Sequence, residues 1–413
     1  MNILSVKSLH DAKSIILSDQ NTITLQTESV HLLESHGRIA SETLYSPVDV
    51  PAFNRSTVDG YAVKTPEVMG ASESIPSILT LKNEVMMGES ASSPLKSGEA
   101  IYVPTGGMIP EGADGMVMIE HSEVLDEQTL LIKKPIAFGE NITYRGDDLK
   151  ENDAILKTGE KISAYDMGVL AGVGIGWIKV FEKIKIAVLS TGDEIIDYDQ
   201  EPKSGQIRDI NGYTLSGASI ACGGQVVYKA LIKDDFEALR VALDHAVHAA
   251  DIVILSGGSS VGTRDFTFAA IESFESGEIL LHGISVKPGK PTIIGKIDGK
   301  MVFGLPGHPA ASAIIFEILV KPYIEKCQMK QSGTFKIGAK LTSNLHAAPG
   351  KDTFVMVTLH RENGINYATP IHGKSGLMTL LTKATGYIQI TSELEGLYKD
   401  QEVEVNLLKE VTR

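Results

Sequence analysis

The sequence predicts an α/β multidomain fold: a parallel α/β domain accompanied by a β-rich inserted domain and a C-terminal β domain. Three observations carry that expectation. Apolar strand-like runs alternate with helical periodicity from 184 to 327, the rhythm of a parallel sheet. Short β-type runs separated by Gly, Pro, Asn and Ser fill 60 to 140. From 333 onward short, Gly-broken β-like runs return.

Taken in order, residues 7–40 carry helical periodicity through Ala12, Ile15 and Ile16 and then Val30, Leu32 and Leu33. Pro47 and Pro51 break it. The runs YAVK, SILTL, AIYVP, GMVMIE and LLIKK then read as strands, and a helix is expected near 163–171. IKIAVLS (184–190) is continuously apolar, as in a strand buried on both faces. A helix-like stretch near 211–222, the strand QVVYKALIK and the helix DFEALRVALDHAVHAA follow. That helix shows Phe236, Leu239, Val241, Leu243 and Val247 at mixed helical spacings, with Asp235 placed to cap it. DIVILSG is the next strand, 265–274 the next helix, MVFGL another strand, and 309–327 a helix opening on Pro309, a favoured first position. The expected divisions are 1–45 plus 141–178 as a linker and dimerisation subdomain, 46–140 as the β-rich insert, 179–330 as the α/β domain and 331–413 as a β-barrel-like domain.

Bulk properties narrow the function. A length of 413 residues suggests two to four domains, and 43% hydrophobic with 22% charged residues is ordinary globular composition. The net charge of −14, with no basic stripe, argues against nucleic-acid and anionic-membrane partners. An anionic ligand must then be met locally by Lys, Arg, backbone N–H groups or a metal ion. Cys222 and Cys327 are too few and too far apart in sequence for a disulfide framework or a zinc knuckle, and read as small core residues. The N-terminal stretch lacks a signal-peptide core and no run approaches a membrane span, so a cytoplasmic protein is expected.

In an open parallel α/β sheet, ligands bind beyond the carboxyl ends of the strands. Three of the four strand exits here deliver acids: Glu194 in TGDE, Asp234 beside Asp235, and Asp265 closing SGGSSVGTRDF. The third also supplies Gly257, Gly258, Ser260 and Gly262, whose backbone N–H groups can meet oxyanions. A loop that holds an anion beside carboxylates is reconciled by a hard dication such as Mg²⁺, which takes carboxylate and phosphate oxygens together. Helix capping by the same acids is the alternative reading. VKPGKP places Lys287 and Lys290 in a Pro-stiffened turn, able to hold phosphate or simply to be solvated. LPGHP sets Pro306 and Pro309 around a strand-to-helix corner. Other matches are declined. GSSVG around Ser260 fits a nucleophile elbow but does not turn straight into a helix, so a serine hydrolase completed by His308 and His372 is the weaker reading. ATPIHGKSG lacks the leading Gly of a P-loop, AGVGIG precedes a strand, and His245 with His248 have no third zinc ligand.

Seven segments occur in an order that resembles one family: SPVDVPAFNRSTVDGYAV, VPTGGMIPEGADGMVMIE, GENITYRGDD, LSTGDE, SGGSSVGTRDF, VKPGKP and GLPGHPAAS. The chain resembles the molybdopterin molybdenumtransferases, the MoeA family that includes the E domain of gephyrin. The resemblance implies an elongated chain with a MogA-like molybdopterin-binding domain. It implies a Mg²⁺-dependent transferase of molybdenum cofactor biosynthesis that inserts molybdate into adenylylated molybdopterin and releases AMP. It further implies a homodimer, with molybdopterin adenylyltransferase and molybdoenzyme maturation proteins as candidate partners. The alternatives are a non-catalytic molybdopterin-binding scaffold and the related molybdopterin adenylyltransferase. Carried over by motif, the catalytic positions are Asp59, Thr105, Asp148, Glu194, Asp234 and Asp265, with the last three holding the metal. Lys287, Lys290, Pro306, Pro309 and Ser375 join the glycine loop in binding the cofactor. Asn54, Thr57, Val58, His308, Lys351 and Met356 depart from the family pattern, and the basic run before GDD is reduced to Arg145. The departures thin the positive charge expected around an oxyanion such as molybdate or tungstate.

Overall fold

The computed structural model describes residues 6–18, 23–257, 266–328, 335–371, 373, 376 and 378–409. They form two compact units: the described residues of Met1–Glu28, Gly37–Ile39 and Lys179–Arg413, and those of Ser29–His36 and Ala40–Ile178.

The chain opens with α1 (Leu9–Ser18), whose Leu9, Ala12 and Ile16 form one apolar stripe. The helical periodicity expected up to residue 40 stops there. Val30 lies on a short strand, Thr27–His31, and Leu32 begins a single 3₁₀ turn. The stretch 27–31 alternates side chains about one buried position, Val30, which a strand satisfies and a helix stripe does not. The sequence groups this N-terminal stretch with residues 141–178, but α1 packs into the α/β core, because its stripe meets Tyr323, Ile324 and their neighbours there.

The β-rich unit holds β1 (Gly60–Val63), β2 (Ser77–Leu81), β3 (Glu99–Val103), β4 (Gly115–Met118), β5 (Ser122–Asp126) and β6 (Thr129–Ile132). They make one six-stranded sheet in the order β4-β1-β3-β2-β6-β5. The two faces of its inner strands feed separate cores: Tyr61 and Val63 on one side, Ala62 and Met116 on the other. The helix α2 (Ala164–Gly172) closes this unit and starts at a capping box in which Ser163 and Asp166 satisfy each other's backbone N–H.

The α/β part alternates as expected: β7 (Lys185–Thr191), α3 (Asn211–Ala221), β8 (Gln225–Ile232), α4 (Phe236–Ala249), β9 (Ile252–Ser256), α5 (Phe266–Glu272), β10 (Glu278–His282), β11 (Ile293–Ile297), β12 (Lys300–Leu305), α6 (Pro309–Ile315) and α7 (Lys321–Cys327). The sheet order is β8-β7-β9-β12-β11-β10, parallel across the first four strands. Two antiparallel strands, β11 and β10, extend it beyond β12, an addition that the parallel reading did not contain. Why β7 and β9 read as unbroken apolar runs is now plain. Ile186, Val188, Ile252 and Ile254 enter one core with α1, α3, α6 and α7, while Ala187, Leu189, Val253 and Leu255 enter the other with α4 and α5. Cys222 and Cys327 are buried in the first of these cores. On α4 the buried face is Leu239, Ala242, Leu243, Ala246 and Val247; Val241, one of the apolar residues read at mixed spacings, is 57% exposed because it lies on the opposite side of the helix.

The tail holds β13 (Lys336–Leu341), β14 (Asp352–Glu362), β15 (Ile365–Pro370), β16 (Gly386–Ile390) and β17 (Glu402–Leu407). The chain of pairings β14-β15-β13-β17-β16 closes on itself, since β14 also pairs with β16. A closed sheet leaves no long open edge, and Leu341, Val357, Ala368, Ile388 and Val405 fill its interior.

Candidate functional site

A cavity of about 640 Å³ opens at the carboxyl ends of the parallel strands. Its wall draws on the strand ends and the residues that leave them: Ser190 to Gly192 and Glu194 at the end of β7, Asp234 after β8, Ser256 and Gly257 at the end of β9, and Pro306 to Pro309 after β12. This is where an open α/β sheet presents its loops and helix starts to a ligand.

Two of the predicted acids, Glu194 and Asp234, are brought to this one wall. Gly192 is what lets Glu194 fold back, because a Cβ there would lie 2.9 Å from Glu194 Oε2 and from the Ile195 side chain. The Asp234 N–H donates to Asp193 Oδ1 at 3.2 Å, tying the β8 exit to the β7 exit. Gly257, Pro306 and Pro309 also line the cavity. At Gly257, with φ +102°, a Cβ would sit 2.3 Å from the Thr191 carbonyl oxygen, so the chain passes there only as glycine. Pro309 stands in the first turn of α6, behind His308 as N-cap. Lys287, on the two-residue strand Val286–Lys287 that pairs with the start of β14, and Lys290 are both exposed, and of residues 286–291 only Pro291 reaches the wall. Asp265, Gly258, Ser260, Gly262 and Ser375 lie outside the described residues, as does His372.

Two buried polar residues of the wall, Asp209 and Asn211, were not singled out in sequence. Asp209 has a side chain only 2% exposed. Its Oδ1 accepts from Ser190 Oγ at 3.0 Å and from the Gly212 N–H at 2.8 Å, joining the β7 exit to the start of α3. Its Oδ2 lies 3.4 Å from Lys229 Nζ on β8. Lys229 in turn sits 3.9 Å from the centre of the Tyr213 ring, and the Tyr213 hydroxyl donates to Asp197 at 2.9 Å. The Asp197 carboxyl is held below the usual range, first by the Tyr198 N–H and then by that hydroxyl. Asn211 Nδ2 donates to Ser256 Oγ and to the Gly307 carbonyl, each at 2.7 Å. Together Asp209 and Asn211 pin the exits of β7, β9 and β12 and, through Lys229, the body of β8. The available signal was the pair of short polar residues in RDIN at a helix start, which on its own reads as capping.

In the β-rich unit, Asp59 and Thr105 are joined directly, with the Thr105 N–H donating to Asp59 Oδ1 at 2.8 Å. Both are exposed at one end of the β1–β3 pair, where Gly60 faces Val103. Asp148 is exposed on a separate loop, its N–H donating to the Val50 carbonyl at 3.0 Å. Arg145 braces that loop through Asp49 at 2.6 Å, and its N–H donates to Asn54 Oδ1 at 2.9 Å. Met356 is buried with Phe354 and Tyr387 and carries no charge into the site.

Comparison with known proteins agrees with this architecture. Residues 7–174 match the family described as MoeA N-terminal region (domain I and II), residues 187–326 the "Probable molybdopterin binding domain", and residues 338–408 the MoeA C-terminal region (domain IV). A molybdopterin molybdenumtransferase of Haemophilus influenzae is 33% identical over 349 residues, 84% of each chain. The chain belongs to the MoeA family. A molybdopterin molybdenumtransferase of Bacillus subtilis is 28% identical across 93% of this chain and 90% of its own. The crystal structure of a MoeA protein of molybdopterin biosynthesis from Pyrococcus horikoshii superposes with a TM-score of 0.87 at 38% identity, covering 98% of this chain and 100% of that one. Apart from Gly376, every residue lining the cavity thus lies within the part of this MoeA chain that matches a molybdopterin-binding domain.

Proposed function

We propose that this chain is a transferase of molybdenum cofactor biosynthesis that inserts molybdate into adenylylated molybdopterin, with Mg²⁺-dependent release of AMP. One observation carries the reading: in a MoeA chain, four parallel-strand exits converge on one cavity and two of them place carboxylates, Glu194 and Asp234, on its wall. No group of three or more metal-ligating side chains occurs among the described residues. Two carboxylates suit Mg²⁺, which commonly takes one or two protein carboxylates and completes its shell with substrate phosphate and water. The crease at Gly192 that admits the Glu194 carboxylate fits that use.

Glu194 and Asp234 would hold the ion, with Asp265 as the third expected ligand. Bound there, Mg²⁺ would neutralise phosphate oxygens and ease departure of the AMP leaving group. The Asp209–Lys229 pair and the Asn211 amide hold the loops that orient the substrate, and Pro306 and Pro309 fix the corner beside it. Lys287, Lys290, the glycine loop and Ser375 would meet phosphate or molybdate oxygens. The reaction belongs to the cytoplasm in this reading, and no helix among the described residues is long and apolar enough to cross a membrane. The working assembly is a homodimer, with Asp59, Thr105 and Asp148 serving the reaction of a second copy.

The test is AMP release from adenylylated molybdopterin on addition of molybdate and Mg²⁺. Release is expected from the wild type and is lost on chelation of the metal. Glu194→Ala and Asp234→Ala should each lower it on the order of a hundredfold or more while melting as the wild type does. Normal turnover in both variants would remove these residues from the reaction. Binding of the pterin with no AMP release would make the chain a scaffold instead. Mixing Asp59→Ala with Glu194→Ala subunits should restore part of the activity that each lacks alone.

A further inference from the structure

Three side-chain atoms on the cavity wall are buried with no hydrogen-bond partner among the described residues: Asp209 Oδ2, Thr191 Oγ1 and Asn211 Oδ1. Asp209 Oδ2 is answered by the charge of Lys229, 3.4 Å away, which leaves the other two. Their residues are 4% and 8% exposed, and both line the cavity. Buried polar atoms are nearly always paired, so two orphans on one wall call for a physical reason.

Neither orphan can be removed by turning a side chain around. Asn211 Nδ2 already gives both of its protons, to the Gly307 carbonyl and to Ser256 Oγ. A flipped amide would set its oxygen against the Gly307 oxygen, so Oδ1 must remain the unpaired acceptor. Thr191 ends β7, where a valine of the same shape would suit a buried strand without leaving a polar atom unpaired. Its hydroxyl instead lies beside Gly257, 2.7 Å from where a Cβ of that residue would be. Among the described residues, then, a hydroxyl and an amide oxygen stand without partners at the strand exits that line the cavity.

Phosphate and molybdate oxygens cannot answer Asn211 Oδ1, because at neutral pH they mainly accept hydrogen bonds. An N–H or O–H group is required. We infer that Asn211 Oδ1, which can only accept, and with it the Thr191 hydroxyl, which can accept or donate, are specificity-determining contacts to the uncharged, donor-bearing part of the bound substrate; for Thr191 the pyrophosphate arm below separates this from a contact to phosphate. The inference rests on the function proposed above and names the part of the substrate that those two residues read. Two portions of that substrate carry such donors: the nucleoside, through its ribose hydroxyls and adenine amino group, and the pterin ring, through its amino and ring N–H groups. The shared chemistry is a neutral hydrogen-bond donor.

Thr191→Val is the decisive variant, since it removes an oxygen that makes no hydrogen bond among the described residues and keeps the shape. Thermal melting of the unliganded protein should be unchanged or higher. Calorimetric titration should show about a tenfold loss of affinity for either AMP or nucleotide-free molybdopterin, with Thr191→Ser restoring it. The ligand that loses affinity identifies the portion read. Binding of inorganic pyrophosphate should not change. In the AMP arm, the deoxy or inosine analogue lacking the contacted donor should bind the wild type about tenfold more weakly, yet bind Thr191→Val no worse than AMP does.

The inference is overturned if Thr191→Val binds both ligands like the wild type. It is overturned equally if that variant loses pyrophosphate affinity to the same extent, or melts lower with its affinities intact, which would make the hydroxyl structural. A wild type that releases AMP with molybdate beside a Thr191→Val variant of unaltered affinity sinks this inference alone. A wild type that binds neither ligand sinks the functional reading with it.

Discussion

Asn211 is the first residue of α3, and its amide reaches partners 45 and 96 residues further along the chain. Replacing it by alanine would leave the Gly307 carbonyl and the Ser256 hydroxyl without that donor inside a largely closed wall. The expected cost is about 1–3 kcal/mol, measured as a lower urea midpoint at unchanged slope. A midpoint equal to that of the wild type would mean that water replaces the amide without loss. Such a residue is nearly illegible in sequence, because an Asn at a helix start has an ordinary local explanation. Glu194 and Asp234 were legible for the opposite reason. They directly follow apolar strand runs, and a parallel sheet sends such residues to one edge whatever else the fold does. Lys287 and Lys290 share that proximity in sequence, yet both are exposed, and of residues 286–291 only Pro291 is on the wall.

Among the elements, α4 shows local chemistry and tertiary packing in agreement. Asp235 caps it through a 2.8 Å hydrogen bond from the Ala238 N–H, as its place before Phe236 predicts. Asp235→Ala should cost about 0.5–2 kcal/mol by loss of that cap, read from chemical denaturation, and should leave AMP release intact. If AMP release fell as far as it does in Asp234→Ala, Asp235 would belong to the site and not merely to the helix. The closing helix pair departs from local expectation. Between α6 and α7 the chain widens into a π turn, Phe316–Val320, just before Pro322, which has no N–H to give to the preceding turn. The antiparallel strands β10 and β11 were not singled out in sequence. Each is only five residues long, and strand direction depends on which neighbour is free to pair. The N-terminal periodicity misled for a related reason. Spacings near 3.6 occur by chance in a short strand followed by a 3₁₀ turn, and packing decides between them.

At the scale of the whole molecule, separate cores imply separable unfolding. The unit containing the cavity has its own apolar clusters around the parallel sheet and the closed barrel, and the β-rich unit has two more on the faces of its six-stranded sheet. Differential scanning calorimetry should resolve more than one cooperative transition, with a calorimetric enthalpy exceeding the van't Hoff value. AMP with Mg²⁺ should raise the transition of the cavity-bearing unit and leave that of the β-rich unit in place. One two-state transition that shifts as a whole would show the units to be energetically inseparable. The amino-acid sequence by itself determined the class of the fold, the alternation around the parallel sheet, the β character of insert and tail, and the acids at the strand exits. Those features follow from side-chain periodicity and chain direction, which are local properties. Only the tertiary structure decided which tail strands meet to close the barrel-like sheet, that α1 joins the α/β core, and that Asp209 and Asn211 tie the exits of β7, β9 and β12 and the body of β8 into one wall on which Thr191 Oγ1 and Asn211 Oδ1 have no partner among the described residues. These depend on which distant backbone and side-chain groups meet, and hydrogen bonds across 45 or 96 residues leave no periodic trace in the chain.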